Sequence, residues 1–232
     1  MGRDDRLLTR DQVRRLYDRL APGYDVVAGA YQLLGGRRLG PRALQLLGLR
    51  AGDTVVDLGC GTGVNLPHLA RAVGPSGRVV GVDLSPGMLG QAKDRLPVDG
   101  GAPVELAQAD LREYELPPDT RGVLATFALE MVPEYDDVVA RVCRTLAATG
   151  GRLAVSGLRR PRGWPDWLVR LGVLVNRPFG VNRAYEDLHP WEAVRRHADE
   201  MAFETAMFGA VYLSVGAPGA TAQRSTSSGT TA

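Results

Sequence analysis

Lysine is almost absent from this sequence: Lys93 is the only one among 28 basic residues, and all the others are arginine. The formal net charge is only +2 and acids are interspersed with the arginines, so no nucleic-acid-binding surface is predicted. The two cysteines, Cys60 and Cys143, have the spacing of neither a zinc site nor a redox pair. The three histidines lie far apart in sequence, so we predict no metal site.

Long apolar runs are also missing. No stretch approaches the roughly 20 apolar residues that a membrane-spanning helix needs. The charged first ten residues lack the apolar centre of a signal peptide, so we expect a cytoplasmic protein. The chain has 232 residues, 44 % hydrophobic and 23 % charged, which suits one α/β domain with a substantial core.

The residue pattern predicts helices first and then alternating strands and helices. The front helices are expected over 7–20, 25–34 and 41–47, and the later helices over 65–73, 85–96 and 133–147. Strands are expected over 54–58, 77–83, 103–110, 122–129 and 150–157. This alternation favours a parallel sheet with helices on both faces, and a hairpin over 202–216 adds one antiparallel strand. We divide the chain into an N-terminal helical section (1–50), a core (51–216) with a late insertion (158–199), and a disordered tail (217–232).

The stretch VVDLGCGTGVN, from Val55 to Asn65, places an acid and three glycines between a strand and a helix. It fails the dinucleotide fingerprint G-x-G-x-x-G, because the third glycine would fall on Val64 or Leu66. Such a loop still lets a ligand rest against backbone N–H groups at a helix N-terminus. A carboxylate at Asp57 repels a pyrophosphate there and favours a ligand that carries an ammonium group.

Two further strands also end in acids. Asp83 lies 20 residues after Gly63, where a carboxylate can accept hydrogen bonds from both hydroxyls of a ribose. Asp110 ends the third strand, in a position to accept a hydrogen bond from an adenine amino group. We therefore expect Asp57, Asp83 and Asp110 on one rim of the sheet.

The motifs VVDLGCGTG, VVGVDLSPGML and LAQADL together resemble those of the class I S-adenosylmethionine-dependent methyltransferases, over residues 53–157. The resemblance implies a Rossmann-like α/β fold with a seven-stranded, mostly parallel sheet, one antiparallel strand, and S-adenosyl-L-methionine as cofactor. It places Asp57, Gly59 and Gly61 at the methionyl part, Asp83 at the ribose, and the strand exit from Phe127 to Glu130 at the methyl group. The cofactor residues predicted besides these are Leu84, Met88, Asp110 and Leu111 around the adenine, with Tyr17, Cys60 and Asn65.

The segment YDRLAPGYD, residues 17–25, resembles the opening of the quinone C-methyltransferase and bacterial phosphatidylethanolamine N-methyltransferase branch. In that branch the front helices cover cofactor and substrate, which implies an N-terminal helical lid. Tyr17 and Tyr24 are candidates for this lid, with Tyr24 facing the substrate. Both would equally suit the core side of an amphipathic helix.

Methyl transfer from a sulfonium requires alignment and exclusion of water rather than a nucleophile or a metal. A general base is needed only where the acceptor must lose a proton. The candidate bases are Glu130, which follows the fourth strand, His189 in the late insertion, and Tyr24. Glu130 is also a candidate for contact with the substrate.

The insertion contains GWPDWLVRLGVLVNRPFG, residues 163–180. Its apolar residues have helical spacing, and three interpretations remain open: a core-packing helix, a hydrophobic acceptor pocket that includes Trp164, or a surface that rests on anionic lipid. Membrane contact would be peripheral at most.

The function predicted from these residues is S-adenosylmethionine-dependent methyl transfer to a small-molecule or lipid-like acceptor by in-line displacement. Two alternatives remain: a cofactor-binding regulator without transferase activity, and a nicotinamide-dependent oxidoreductase, against which the glycine spacing argues.

Overall fold

A computed structural model describes residues 7–25, 39–161, 163–182 and 187–219. The strands are β1 (Thr54–Leu58), β2 (Arg78–Asp83), β3 (Val104–Gln108), β4 (Thr120–Thr126), β5 (Arg152–Leu158), β6 (Asp199–Ala206) and β7 (Val211–Ala217). The helices in the described residues are α1 (Arg10–Leu20), α2 (Leu39–Leu47), α3 (Leu66–Val73), α4 (Pro86–Lys93), α5 (Tyr135–Thr149), α6 (Asp166–Asn176) and α7 (Pro190–His197). None of these helices is both long and apolar enough to cross a membrane.

One seven-stranded sheet has the order β3-β2-β1-β4-β5-β7-β6. Strands β1 to β5 pair in parallel, whereas β7 runs antiparallel to both β5 and β6. Only a short turn joins β6 to β7, and a connection that short restricts the two strands to an antiparallel pair. The predicted fold class, including the single reversed strand, is confirmed.

Helices cover both faces of the sheet. All five residues of β1 are buried, and its neighbouring side chains alternate between the two cores: Val55 packs in one and Val56 in the other. Helices α5 and α7 enclose the Val56 side, while α2 and α3 enclose the Val55 side. This two-sided burial explains why the central strands, such as β1, are mostly apolar in sequence.

The ends of several elements differ from the sequence predictions. Ser85 caps α4 through its side chain, and Pro86 stands in the first turn, as expected. The fourth strand, predicted over 122–129, ends earlier, at Thr126, because Phe127 adopts a left-handed φ of 53° that turns the chain into a 3-10 helix over Leu129–Met131. The predicted helix over 25–34 lies outside the described residues except for its first residue, and so does the predicted tail beyond residue 219.

The two helices of the late insertion differ in burial. Helix α7 packs against the sheet through Trp191, Ala193 and Val194, all of which are buried. Helix α6 buries only Val169, and four of its apolar side chains are exposed: Trp167, Leu171, Leu174 and Val175. The core-packing interpretation of this helix is therefore not supported. The division of the chain into lid, core, insertion and tail stays a prediction.

The strand order places a crevice between β1 and β4. After β1 the chain continues to β2 and β3 on one side of β1, and it then crosses to β4 on the other side, so the strand order reverses direction here. Ligands of open α/β sheets bind at such a switch point, beyond the carboxyl ends of the strands. The loop after β1 and the turn at Phe127 both lie at these ends.

We expect Gly63→Ala to destabilise the fold, because φ at Gly63 is +78° and an added Cβ would lie 2.8 Å from the Ala92 Cβ. The loss should be about 1–2 kcal/mol or more in urea unfolding. Gly90→Ala is the matched control: Gly90 lies within α4 with open space around it, so alanine there should stabilise by about 0.5–1 kcal/mol. Equal effects of the two substitutions would contradict this account.

Candidate functional site

The glycine loop after β1 is held against β2. The N–H groups of Gly59 and Cys60 both donate to the Val82 carbonyl, at 2.8 and 2.9 Å, and the Gly61 N–H donates to Asp83 Oδ2 at 2.8 Å. Gly61 has a φ of +54° and open space where a side chain would stand. The loop therefore presents bare backbone to the crevice.

Asp57 is an ionisable residue in a buried position that disfavours its charged form. Its side chain is fully buried, and in the described part of the structure neither carboxylate oxygen has a hydrogen-bond partner. Burial raises the pKa of Asp57 to about 7, the nearby Asn65 amide partly offsets this, and the charge of Asp83 adds to it. Such a group is stabilised by a bound cation or hydrogen-bond donor, as predicted for an ammonium-bearing ligand.

The Asp83 carboxylate makes hydrogen bonds to the backbone and can still accept more. Its Oδ1 accepts from the Ser85 N–H at 2.9 Å while Oδ2 holds the Gly61 N–H. Burial raises the pKa of Asp83, although the backbone N–H groups around it act in the opposite direction. Since each oxygen retains a lone pair, the carboxylate remains able to accept from ribose hydroxyls.

Asp110 is bound to arginines in this structure. Arg112 contacts both of its carboxylate oxygens, at 3.0 and 2.7 Å, and the Arg10 Nε lies 3.0 Å from Oδ2. Burial opposes ionisation of Asp110, but hydrogen bonds from Arg112 and the charges of both arginines lower its pKa overall. A contact with an adenine amino group would share this carboxylate with Arg10 and Arg112, and it stays a prediction.

A cavity of about 370 Å³, here called the Asp83 cavity, brings most of the predicted cofactor residues together. The predicted residues that line it are Tyr17, Gly59, Gly61, Asp83, Leu84, Met88, Asp110, Leu111 and Phe127. Tyr24 lines it as well. Asp57 lies buried outside this lining.

The beginning of α1 supplies residues that the sequence analysis missed. Leu8, Thr9, Arg10 and Val13 line the Asp83 cavity. Helix α1 is amphipathic, and none of its residues is buried. The signal was present in the helical spacing of Val13 and Tyr17, which both border the cavity.

Three acidic or basic side chains fasten this front segment, residues 7–25, to the site. Arg10 pairs with Asp110. Asp18 Oδ1 accepts from the Ser85 hydroxyl at 2.6 Å and from the Gly87 N–H at 3.1 Å. Further along the segment, Asp25 accepts from the Thr62 hydroxyl at 2.6 Å. Each contact reaches a residue in or beside a cofactor motif, which supports the predicted role of the segment as a lid.

A second cavity of about 250 Å³, here called the Glu130 cavity, adjoins the first. Glu130, Cys60, Asn65, Tyr17 and Tyr24 are the sequence-predicted residues that line it beyond the loop glycines and Phe127. Side chains that sequence reasoning missed come from distant segments: Leu39, Ala43, Ser156, Leu158, Asn176, Phe179, Val181, Met207 and Val211. Only tertiary folding assembles this wall.

The two cavities meet at an aromatic junction. Tyr17, Tyr24 and Phe127 line both cavities. Phe127 combines its left-handed φ with an N–H donated to the Ser156 carbonyl at 2.7 Å. Tyr24 packs edge-on against Phe179, and its ring lies 6.1 Å from that of Tyr17. Backbone strain of this kind in a non-glycine residue is typical of functional sites.

Two other predicted residues are not brought to either cavity lining. His189 precedes α7, where its ring packs 4.8 Å from the Trp191 ring. Trp164 precedes α6 and lines neither cavity, whereas Asn176 and Phe179, at the far end of that segment, do line the Glu130 cavity. Glu130 and Tyr24 therefore remain as the candidate bases in contact with the site.

A family model described as a methyltransferase domain matches residues 55–150, the region that contains the glycine loop and all three strand-end acids. Over these residues the chain is similar to methyltransferase domains. The predicted resemblance to the class I S-adenosylmethionine-dependent methyltransferases is confirmed, and so is S-adenosylmethionine as the cofactor of the family that the chain resembles.

A curated relative supports the same family. The ubiquinone/menaquinone biosynthesis C-methyltransferase UbiE of Pseudomonas fluorescens (strain Pf0-1) is 34 % identical over 153 residues, which cover 62 % of this chain and 59 % of the relative. The chain thus matches about three fifths of that relative's length. The resemblance to quinone C-methyltransferases is confirmed.

Solved structures share the fold. Geranyl diphosphate C-methyltransferase from Streptomyces coelicolor A3(2), crystallised with Mg²⁺, geranyl diphosphate and S-adenosyl-L-homocysteine, has a TM-score of 0.64 at 16 % identity, with 92 % of this chain and 100 % of that chain covered. The [4+2]-cyclase SpnF has a TM-score of 0.67 at 16 % identity, over 91 % and 97 % of the two chains. At these identities the likeness concerns the fold alone.

The residues of the region that the family model matches fit the cofactor. Among the described residues, the buried Asp57 carboxylate has no hydrogen-bond partner, and an ammonium bound there, directly or through water, would supply one. Gly61 leaves open space beside the backbone, and Asp83 retains capacity for ribose hydroxyls. Leu84, Met88 and Leu111 supply apolar surface for a planar base.

We expect Asp57→Asn to stabilise the cofactor-free domain at alkaline pH. In the native state the pKa of Asp57 is raised from 3.8 to about 7, so the unfolded chain ionises first and stability falls as the pH rises across this window. The variant should gain up to roughly 4 kcal/mol over wild type above pH 7, and the difference should vanish near pH 4.

Urea unfolding at pH 4.5, 6 and 8 measures this difference. Asp99→Asn, which neutralises an exposed acid, is the control and should change little. A pH-independent difference between Asp57→Asn and wild type would contradict the assignment of a strained buried charge.

Proposed function

We propose that this protein transfers a methyl group from S-adenosylmethionine to a small acceptor molecule. The observation that carries the proposal is the junction at Phe127, where the cofactor-type Asp83 cavity meets the Glu130 cavity. A donor in the first and an acceptor in the second would face each other across this junction, which is the geometry of an in-line displacement.

The residues of the chain align the reactants and keep out water. S-adenosylmethionine, when bound, supplies a methyl group already activated by the positive charge on sulfur. Asp83 orients the nucleoside, and Asp57 holds the ammonium end. Tyr17, Tyr24 and Phe127 enclose the junction with aromatic surface. The front segment restricts access through its contacts at Asp110, Ser85 and Thr62.

Calorimetric titration with S-adenosylmethionine tests the donor site. We expect saturable one-site binding by wild type and binding at least tenfold weaker in Asp83→Ala, because hydrogen bonds to a charged group contribute about 1.5–3 kcal/mol each. Asp99→Ala removes an exposed acid and should bind as wild type does. Equal affinities of wild type and Asp83→Ala in folded samples would refute the proposed site.

Binding and product assays on the same protein distinguish the two alternatives, a non-catalytic regulator and a nicotinamide-dependent oxidoreductase. A regulator would bind S-adenosylmethionine and release no S-adenosylhomocysteine with quinols, aminolipids or phenols. An oxidoreductase would bind NADH instead, a result that the methyltransferase family model disfavours. SpnF, named as a cyclase, shows that this fold also occurs with another chemistry, so product formation must be measured directly.

A lipid-like acceptor delivered from a membrane surface is the more specific form of the proposal. Trp167 is 66 % exposed and Leu174 60 % exposed on α6, and Phe179, which follows this helix, lines the Glu130 cavity. Arg170 adds positive charge on the same helix. An interfacial helix of this type combines apolar burial with attraction to anionic lipid. A cytoplasmic location with peripheral membrane contact stays part of this proposal.

Vesicles of phosphatidylglycerol and phosphatidylcholine test the contact by co-sedimentation. The double variant Trp167→Ala/Leu174→Ala should partition about tenfold less than wild type, because each buried apolar side chain contributes on the order of 1.5–3 kcal/mol, only part of which is realised at an interface. Met201→Ala, an exposed apolar residue on β6, is the matched control. Undiminished binding of the double variant would exclude α6 as the contact.

A further inference from the structure

Glu130 occupies a place built for its side chain. It lies in the 3-10 helix after β4, is 6 % exposed, and lines the Glu130 cavity. Its carboxylate fills the space beside Gly157 on β5, where an added Cβ would lie 1.4 Å from Glu130 Oε1. No larger residue at 157 is compatible with this position of the carboxylate.

Tyr212 fixes one oxygen of that carboxylate. The Tyr212 hydroxyl donates to Glu130 Oε1 at 3.1 Å, from a fully buried position on the reversed strand β7. Its ring packs edge-on against Trp191 and stacks near Phe203, at centroid distances of 4.8 and 6.3 Å. Glu130 Oε2, in contrast, is buried and has no hydrogen-bond partner in the described part of the structure.

The Glu130 carboxylate has a pKa close to neutral pH. Burial raises the pKa of Glu130 to about 7, and the hydrogen bond from Tyr212 and the backbone at Leu158 act against this rise. A carboxylate with a pKa near the working pH is effective both in taking up a proton and in releasing it afterwards.

Among the described residues, the other groups that line the cavity around Glu130 carry no positive charge. Tyr17, Tyr24 and Cys60 are the titratable side chains that share its lining among the described residues, and the polar ones are Thr62, Asn65, Thr126, Ser156 and Asn176. No arginine, lysine or histidine of the described residues lines it. The Arg159 guanidinium lies over the rings of Trp191 and Phe203, behind Tyr212.

We propose that Glu130, positioned by Tyr212, is the proton acceptor of the Glu130 cavity, and that the cavity takes an uncharged, largely apolar molecule with one O–H or N–H group at its reacting end. This inference rests on the proposed methyl transfer. A carboxylate or phosphate on the acceptor would meet the Glu130 carboxylate, and none of the described lining residues supplies a compensating cation. An acceptor that enters as a cation would bring a second positive charge beside the sulfonium.

The proton and electron balance is complete without a further reactant. The acceptor's O–H or N–H proton passes to Glu130 Oε2, while the lone pair left on the acceptor forms the bond to the methyl carbon. The carbon–sulfur bond breaks and its electron pair stays on sulfur, which gives S-adenosylhomocysteine, the methylated acceptor and a protonated Glu130. The carboxyl group then loses its proton to solvent.

The positioning role of Tyr212 is tested without any acceptor. Carbon-13 NMR of glutamate side-chain carboxyls, with Glu130→Gln to identify the signal, gives the pKa of Glu130. Tyr212→Phe should raise that pKa by about 1 unit or more, since it removes a hydrogen bond to the charged form. Tyr114→Phe, half-buried and outside both cavity linings, is the control and should leave the pKa unchanged. If the pKa of Glu130 is the same in Tyr212→Phe as in wild type, the proposed positioning of Glu130 by Tyr212 is wrong.

The proposed class of acceptor is tested with three compounds that share the naphthalene ring and differ in their polar group. Protein saturated with S-adenosylhomocysteine is titrated at pH 8 with 2-naphthol, 2-naphthoate and 2-naphthyl phosphate. We expect 2-naphthol to bind at least tenfold more tightly than the two anions, and Glu130→Gln to reduce this preference. Absent binding of 2-naphthol, or equal or tighter binding of an anion, overturns the proposed class. Failure of S-adenosylhomocysteine to bind would instead refute the proposed function, and the NMR result is independent of it.

Discussion

The carboxylate of Asp83 connects three parts of the site. One oxygen holds the Gly61 N–H of the glycine loop, and the other holds the Ser85 N–H at the start of α4. The Ser85 hydroxyl in turn donates to Asp18 of the front segment. The glycine loop, α4 and the front segment are thus ordered around one side chain, and in the proposed function the same side chain receives the ribose. The proposed cofactor recognition and the architecture of the cavity therefore both depend on Asp83.

Two buried carboxylates lower the stability of the folded protein. Asp57 and Glu130 are both buried, each has at least one carboxylate oxygen without a hydrogen-bond partner among the described residues, and burial raises the pKa of each to about 7. A well-packed apolar residue would be more stable at either position. In the proposed function a ligand supplies the missing partner of each: an ammonium for Asp57, and the O–H or N–H of an acceptor for Glu130. Stability is lower where binding needs an unsatisfied group.

The reversed strand has a role beyond closing the sheet. Strand β7 runs against its neighbours, and it delivers the Tyr212 hydroxyl to Glu130 from the interior. Helix α7 supports that strand through Trp191, which packs against the Tyr212 ring. The late insertion therefore serves the site in two ways: α7 supports the strand beneath Glu130, and the segment after α6 supplies part of the cavity wall.

The sequence by itself determined the sheet, its reversed strand and most of the predicted residues that line the Asp83 cavity, because those features depend on local spacing. Glycines, strand-end acids and apolar runs are read within one loop or one element, and the parallel topology brings Asp57, Asp83 and Asp110 to one rim. Only the tertiary structure decided which residues line the Glu130 cavity, the proposed acceptor site. Asn176, Phe179 and Met207 come from segments with no common motif, and His189 and Trp164, which sequence alone suggested, are placed elsewhere. The bond between Glu130 and Tyr212 joins residues 82 positions apart, and it follows from the packing of β7 rather than from any pattern in the chain.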